Sequence, residues 1–90
     1  KFHVEDYLRQ YGQELIREEK LIKAAEQLVR NLRNRISGNP VSLAAAALYS
    51  VCKNNRIKIS PDQIGDSFHI SSRTVYNNEL RIRRLILQSG

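Results

Sequence analysis

The 90-residue chain has a single cysteine, Cys52, and neither methionine nor tryptophan. One cysteine excludes an internal disulfide and any zinc site built on several cysteines. His3 and His69 are the only histidines, and neither has metal-ligand spacing to another histidine or to the scattered carboxylates, so no metal or cofactor is expected. No apolar run approaches the ~20 residues of a membrane span, and no signal peptide is visible, so the expectation is an intracellular domain without a membrane partner. Glycine (4) and proline (2) are sparse while 41% of residues are apolar, a balance that argues against disorder. Strand-like alternation, internal repeats and low-complexity segments are all missing. Catalytic groupings are missing too. Ser71-Ser72 beside a lone His69 lacks a third orienting group, and Glu18-Glu19 starts a helix, where negative charge belongs. No enzyme is expected.

The residues present describe one basic helical domain spanning 1–90. Fifteen Lys+Arg stand against nine Asp+Glu, a net charge of +6, which favours a polyanionic partner. Most of the excess lies after residue 37, with Arg73, Arg81, Arg83 and Arg84 facing a single nearby acid, Glu79. Val4, Tyr7, Leu8, Tyr11 and Leu15 form one helical stripe, weakened by Gly12. Leu21, Ile22, Ala25, Leu28, Val29, Leu32 and Ile36 form a stronger one. Its polar face carries Glu19, Lys23, Glu26, Arg30 and Arg33, with Glu19–Lys23 and Glu26–Arg30 spaced as i,i+4 pairs. Ser37-Gly38-Asn39-Pro40 ends that helix and opens the next, with Asn39 as N-cap and Pro40 at N1. From Val41 to Cys52 the chain is apolar on every face, as expected of a central helix. Tyr49 and Cys52 belong to that core, Cys52 as a small hydrophobe.

The segment 60–87 reads as a helix-turn-helix. Ser60 caps a short helix, Pro61 is N1 and Gln63 completes a capping box. Ile64-Gly65 sets an apolar and then a small residue where a second helix must cross closely. Ile70 closes the turn, and Ser71 or Ser72 caps the second helix, whose buried side holds Val75, Ile82, Leu85 and Ile86. His69 takes a turn position where such motifs usually have glycine, so a positive φ is expected there. Ser72, Arg73, Tyr76 and Asn77 then face outward near the helix start, where side chains reach base edges in a major groove. Arginine suits guanine and asparagine suits adenine.

The run Asn39-Pro40-Val41-Ser42-Leu43-Ala44-Ala45-Ala46-Ala47-Leu48-Tyr49 resembles the alanine-rich signature of the cyclin-like repeats in transcription factor IIB and its archaeal counterpart. Ile64-Gly65-Asp66 and Thr74-Val75 are similar to words of that family's second repeat, and the five-helix order is similar along the whole chain. The resemblance implies an all-α, five-helix cyclin-like domain, the C-terminal repeat of a general transcription initiation factor. It implies that the domain sits beside the TATA box with TATA-binding protein and reads double-stranded promoter DNA through the major groove. Recruitment of RNA polymerase is implied for the full-length factor. The place is the nucleus in a eukaryote and the cytoplasm in an archaeon. Base reading falls on the positions of Arg73 and Tyr76, with Asn77 beside them and Ser72 and Thr74 near phosphates. The family often has Val at the first of these and Arg at the second, and has an aromatic where this chain has Glu79, so the sequence preference is this chain's own.

Lys58, Arg81, Arg83 and Arg84 are expected to add sequence-independent attraction to phosphates, or else to solvate a loop and a helix end. Two other readings of the chain stand beside promoter binding. One is a cyclin-like protein-interaction scaffold. The other is a stand-alone helix-turn-helix regulator, which needs a dimer, whereas the expectation here is a monomer.

Overall fold

The computed structural model describes residues 3–32 and 35–89, and of Ser89 only the backbone. Among the described residues there are five helices and no strand. Three consecutive segments, Val4–Tyr7, Leu8–Gly12 and Gln13–Leu15, run on as one helix, α1, whose middle segment is a wide π-type turn. The others are α2 (Glu19–Leu32), α3 (Pro40–Asn54), α4 (Pro61–Phe68) and α5 (Ser72–Ser89). The described chain measures 32 × 31 × 26 Å.

α3 is the hub. Every residue from Ser42 to Cys52 is buried, and α3 packs against each of the other helices. Four consecutive alanines, Ala44 to Ala47, are fully buried and let neighbouring helices approach on all sides. The helix starts as its local sequence dictates: Asn39 Oδ1 accepts from the N–H groups of Val41 (2.9 Å) and Ser42 (3.4 Å), and Pro40 fills N1. It ends at Asn54 with Asn55 as C-cap; Arg56 follows in the left-handed region (φ 59°), and the Ile57 N–H returns to the Cys52 carbonyl at 2.9 Å.

Leu21, Ile22, Ala25 and Leu32 of α2 are buried against this hub, with Leu28 and Val29 half-buried. Ile36, whose N–H returns to the Leu32 carbonyl at 3.2 Å, packs on the same core. Arg33 lies outside the described residues. The i,i+4 ion pairs expected within α2 are replaced by pairs across to α1. Arg9 makes a fork to Glu26, Nε to Oε2 at 2.9 Å and Nη2 to Oε1 at 2.8 Å, and also pairs with Glu19. Arg30 reaches Glu5 at 3.6 Å. A planar guanidinium between two carboxylates on another helix satisfies more hydrogen bonds than one flexible lysine along the same helix. Arg9 in turn holds the Glu19 carboxyl below the usual carboxylate range.

Gly12 is buried where α1 meets the core. A Cβ there would lie 3.2 Å from Leu48 Cδ2 and 3.3 Å from Ile22 Cδ1. The residue expected only to weaken α1 is therefore also what lets α1 lie close to α2 and α3. Tyr11 stacks edge-on against Phe68 (5.7 Å) and His69 (5.4 Å), and its carbonyl accepts from the Ser67 hydroxyl at 2.8 Å. α1 thereby braces the end of α4 and the turn that follows it.

Candidate nucleic-acid interface

The corner between α4 and α5 is built by local chemistry. Ser60 Oγ accepts the Gln63 N–H (3.2 Å) and Gln63 Oε1 accepts the Ser60 N–H (2.9 Å), closing the capping box. α4 ends at His69, which adopts φ 60° and ψ 41°, the positive φ expected in the turn. The Ile70 N–H closes back onto the Gly65 carbonyl at 2.9 Å. Ser71 is the N-cap of α5: its hydroxyl accepts the Thr74 N–H at 3.2 Å and bonds the Thr74 hydroxyl at 2.8 Å. Thr74 is half-buried, and its hydroxyl is hydrogen-bonded to the cap.

Gly65 decides how closely the two helices approach. A Cβ on it would sit 2.6 Å from the Ile70 carbonyl oxygen and 3.3 Å from the Ser72 nitrogen. Only hydrogen fits, so the middle of α4 packs directly against the turn and the start of α5. Pro61, Asp62, Ser72, Arg73, Tyr76 and Asn77 line the open groove between them.

α5 has one face in the core and one in solvent. Val75, Glu79 and Ile82 are buried. At 3.6 residues per turn, Ser72, Arg73, Tyr76 and Asn77 fall within an arc of about 140° on the other side. Arg73 and Asn77 are exposed, and Tyr76 keeps 48% of its surface. Ile86, expected on the buried side, is 41% exposed, because the helix has run past the body of the domain by that point. Leu87, one residue on, is 74% exposed.

The arginines expected to meet phosphates differ in their ties. Arg84 is exposed in the middle of the outward face, and Lys58 is exposed in the loop before α4. Among the described residues, neither they nor Arg73, Tyr76 and Asn77 are held by a hydrogen bond or ion pair. Arg81 and Arg83 lie at the two edges of that face. Arg81 donates to the Ser37 carbonyl (2.7 Å) and to Asn78 Oδ1 (2.9 Å), both neutral acceptors, so among the described residues no carboxylate pairs with its charge. Arg83 makes a fork to Glu79, Nη2 to Oε1 at 2.8 Å and Nε to Oε2 at 3.2 Å.

Glu79 is the residue that pattern reading missed. Its side chain is 3% exposed, yet it is a carboxylate at a core-facing position. Arg83 and the Lys53 ammonium (3.7 Å) supply its counter-charge. The same ammonium lies 5.4 Å from the Tyr49 ring centroid. Burial, aided by the Glu79 charge, pushes the Tyr49 phenol pKa up. Cys52 behaves as a buried hydrophobe, its thiol pushed up to about 11 by desolvation.

Comparisons of the chain with protein-family models, with curated proteins and with solved structures find no match.

Proposed function

We propose that this domain binds double-stranded DNA by laying the first turns of α5 in the major groove. The observation that carries the reading is the α4–α5 corner. A glycine-tight crossing presents Arg73, Tyr76 and Asn77 together, untied, beside the start of α4. Such a corner suits a groove about 12 Å wide, which admits one helix, and its side chains suit base edges. The alanine-rich central helix supports the finer reading: a cyclin-like repeat resembling that of transcription factor IIB, working beside the TATA box with TATA-binding protein. In that reading RNA polymerase is engaged by the full-length factor. Arg73, Tyr76 and Asn77 read bases, Ser72 approaches a phosphate at the helix start, and Lys58, Arg81 and Arg84 add attraction that is independent of sequence.

A mobility-shift titration on TATA-box DNA, with and without TATA-binding protein, tests this. The expected result is a supershift that needs TATA-binding protein and weakens when Arg73 becomes alanine. Equal binding of the Arg73→Ala and wild-type chains to TATA-binding protein alone, with no DNA requirement, favours the scaffold reading instead. An apolar groove of about 220 Å³, lined by Leu28, Val29, Leu32, Ile36 and Ile82 among others, supports that second reading.

A further inference from the structure

The groove between α4 and α5 contains a carboxylate that the helix start does not need. Asp62 sits at the second position of α4, exposed, on the wall facing Arg73, Tyr76 and Asn77. The capping box is complete without it, since Ser60 and Gln63 satisfy each other's N–H groups. Among the described residues the Asp62 carboxylate has no hydrogen bond and no ion pair. Of the other groups on the groove wall Pro61 is apolar, and the side chains of Ser72, Arg73, Tyr76 and Asn77 can all donate; Asp62 when ionised can only accept.

A lone carboxylate among these side chains has consequences for any nucleic acid that enters. In helix-turn-helix docking the first helix crosses the phosphate backbone while the second enters the groove. A carboxylate set against a phosphate is repelled, and every register that brings the two together is disfavoured. The group on a base edge that satisfies an aspartate is the exocyclic amino group, foremost that of cytosine. We propose that Asp62 is a specificity-determining residue of this face. Its carboxylate accepts a hydrogen bond from the amino group of one cytosine and penalises registers that put a phosphate there. This rests on the DNA-binding reading above. An acidic residue in the first turn also suits the helix dipole, but that role changes helix stability and leaves base preference alone.

The test is selection from a randomised duplex library flanking a TATA box, with TATA-binding protein and the full 90-residue chain. It compares the wild type with Asp62→Ala and Asp62→Asn, alongside thermal melts. The wild type is expected to prefer cytosine at one position by about five- to a hundredfold, the range of a single base-pair mismatch. Asp62→Ala should lose that preference alone, keeping the others. Asp62→Asn, which removes the charge but keeps an acceptor, should bind all duplexes a few-fold tighter with the cytosine preference weakened. An unchanged selection pattern in Asp62→Ala, with or without a melting shift, overturns the assignment while leaving DNA reading intact. A wild-type chain that selects no sequence and binds without salt dependence overturns the DNA reading itself, and Asp62's role with it.

Discussion

Replacing Gly65 with alanine is the sharpest test of the corner on which the functional reading depends. The added Cβ would lie 2.6 Å from the Ile70 carbonyl oxygen, against 3.4 Å for an ordinary contact, so the turn must open by about 0.8 Å. The obstacle is backbone, held by the 2.9 Å bond from the Ile70 N–H to the Gly65 carbonyl, and no rotamer change relieves it. Overpacking of this kind costs about 3 kcal/mol at the upper end of its range. The better helix propensity of alanine returns about 1 kcal/mol. A net loss of about 2 kcal/mol lowers Tm by roughly 8–16 °C for a domain of this size. Gly12→Ala is the control. It too is buried in a helix, but its Cβ would meet only the ends of flexible side chains, at 3.2 and 3.3 Å. A few tenths of an ångström of movement there roughly cancels the propensity gain, and Tm should stay within about 3 °C of wild type. Calorimetric melts of both variants check the pair. A Gly65→Ala domain as stable as wild type, or a Gly12→Ala domain that falls as far, refutes the assignment of the tight crossing to Gly65.

Three further outcomes follow from the side-chain pairings. DNA affinity measured against salt should follow a log–log slope of about −2.7, because among the described residues no carboxylate matches the charges of Lys58, Arg81 and Arg84, assigned to phosphates, whereas Arg83 is matched by Glu79. Arg84→Gln should bring the slope to about −1.8 and Arg83→Gln should change it less; equal effects would show that the Glu79 pair opens on DNA. Cys52, with its thiol pushed up to about 11, should react with a thiol reagent at pH 8 only as fast as the domain unfolds, and at once in denaturant; immediate labelling of the native protein would contradict its burial. The Arg9 pairing depresses the folded-state pKa of Glu19, so its stabilisation is complete above the ordinary carboxylate pKa and is lost as pH falls through the lowered value. Arg9→Gln should therefore melt below wild type at neutral pH, with the gap closing in acid; a gap that is constant down to pH 2 would locate the effect in packing instead.

Much of the architecture is legible in the chain because it rests on interactions a few residues long. Apolar spacing marks the helices, Asn39-Pro40 and Ser60-Pro61 mark two of their starts, and the uniform apolar run around Ala44 to Ala47 marks the hub. These signals act through backbone N–H groups and side chains within one or two turns, so neighbours in sequence suffice to read them. The tight α4–α5 corner was legible in the same way, from Gly65, His69 and Ser71.

What tertiary structure alone decided concerns partners from elsewhere in the chain. Glu19 and Glu26 turn from their i,i+4 lysine and arginine to Arg9, because α1 and α2 lie side by side. Glu79, expected to be merely the one acid near the arginines, is buried, and is tolerated there because α3 brings Lys53 to it while Arg83 folds back over it. Arg81 loses part of its freedom to a carbonyl 44 residues away in sequence. Ile86 stays exposed because the body of the domain ends before its helix does. The scarcity of cysteine excluded an internal disulfide and a multi-cysteine metal site at the outset, and that of glycine and proline in a 41% apolar chain argued against disorder. It could not tell which of the abundant arginines are free to meet a polyanion, since a guanidinium's availability depends on the acceptors that folding brings within its reach.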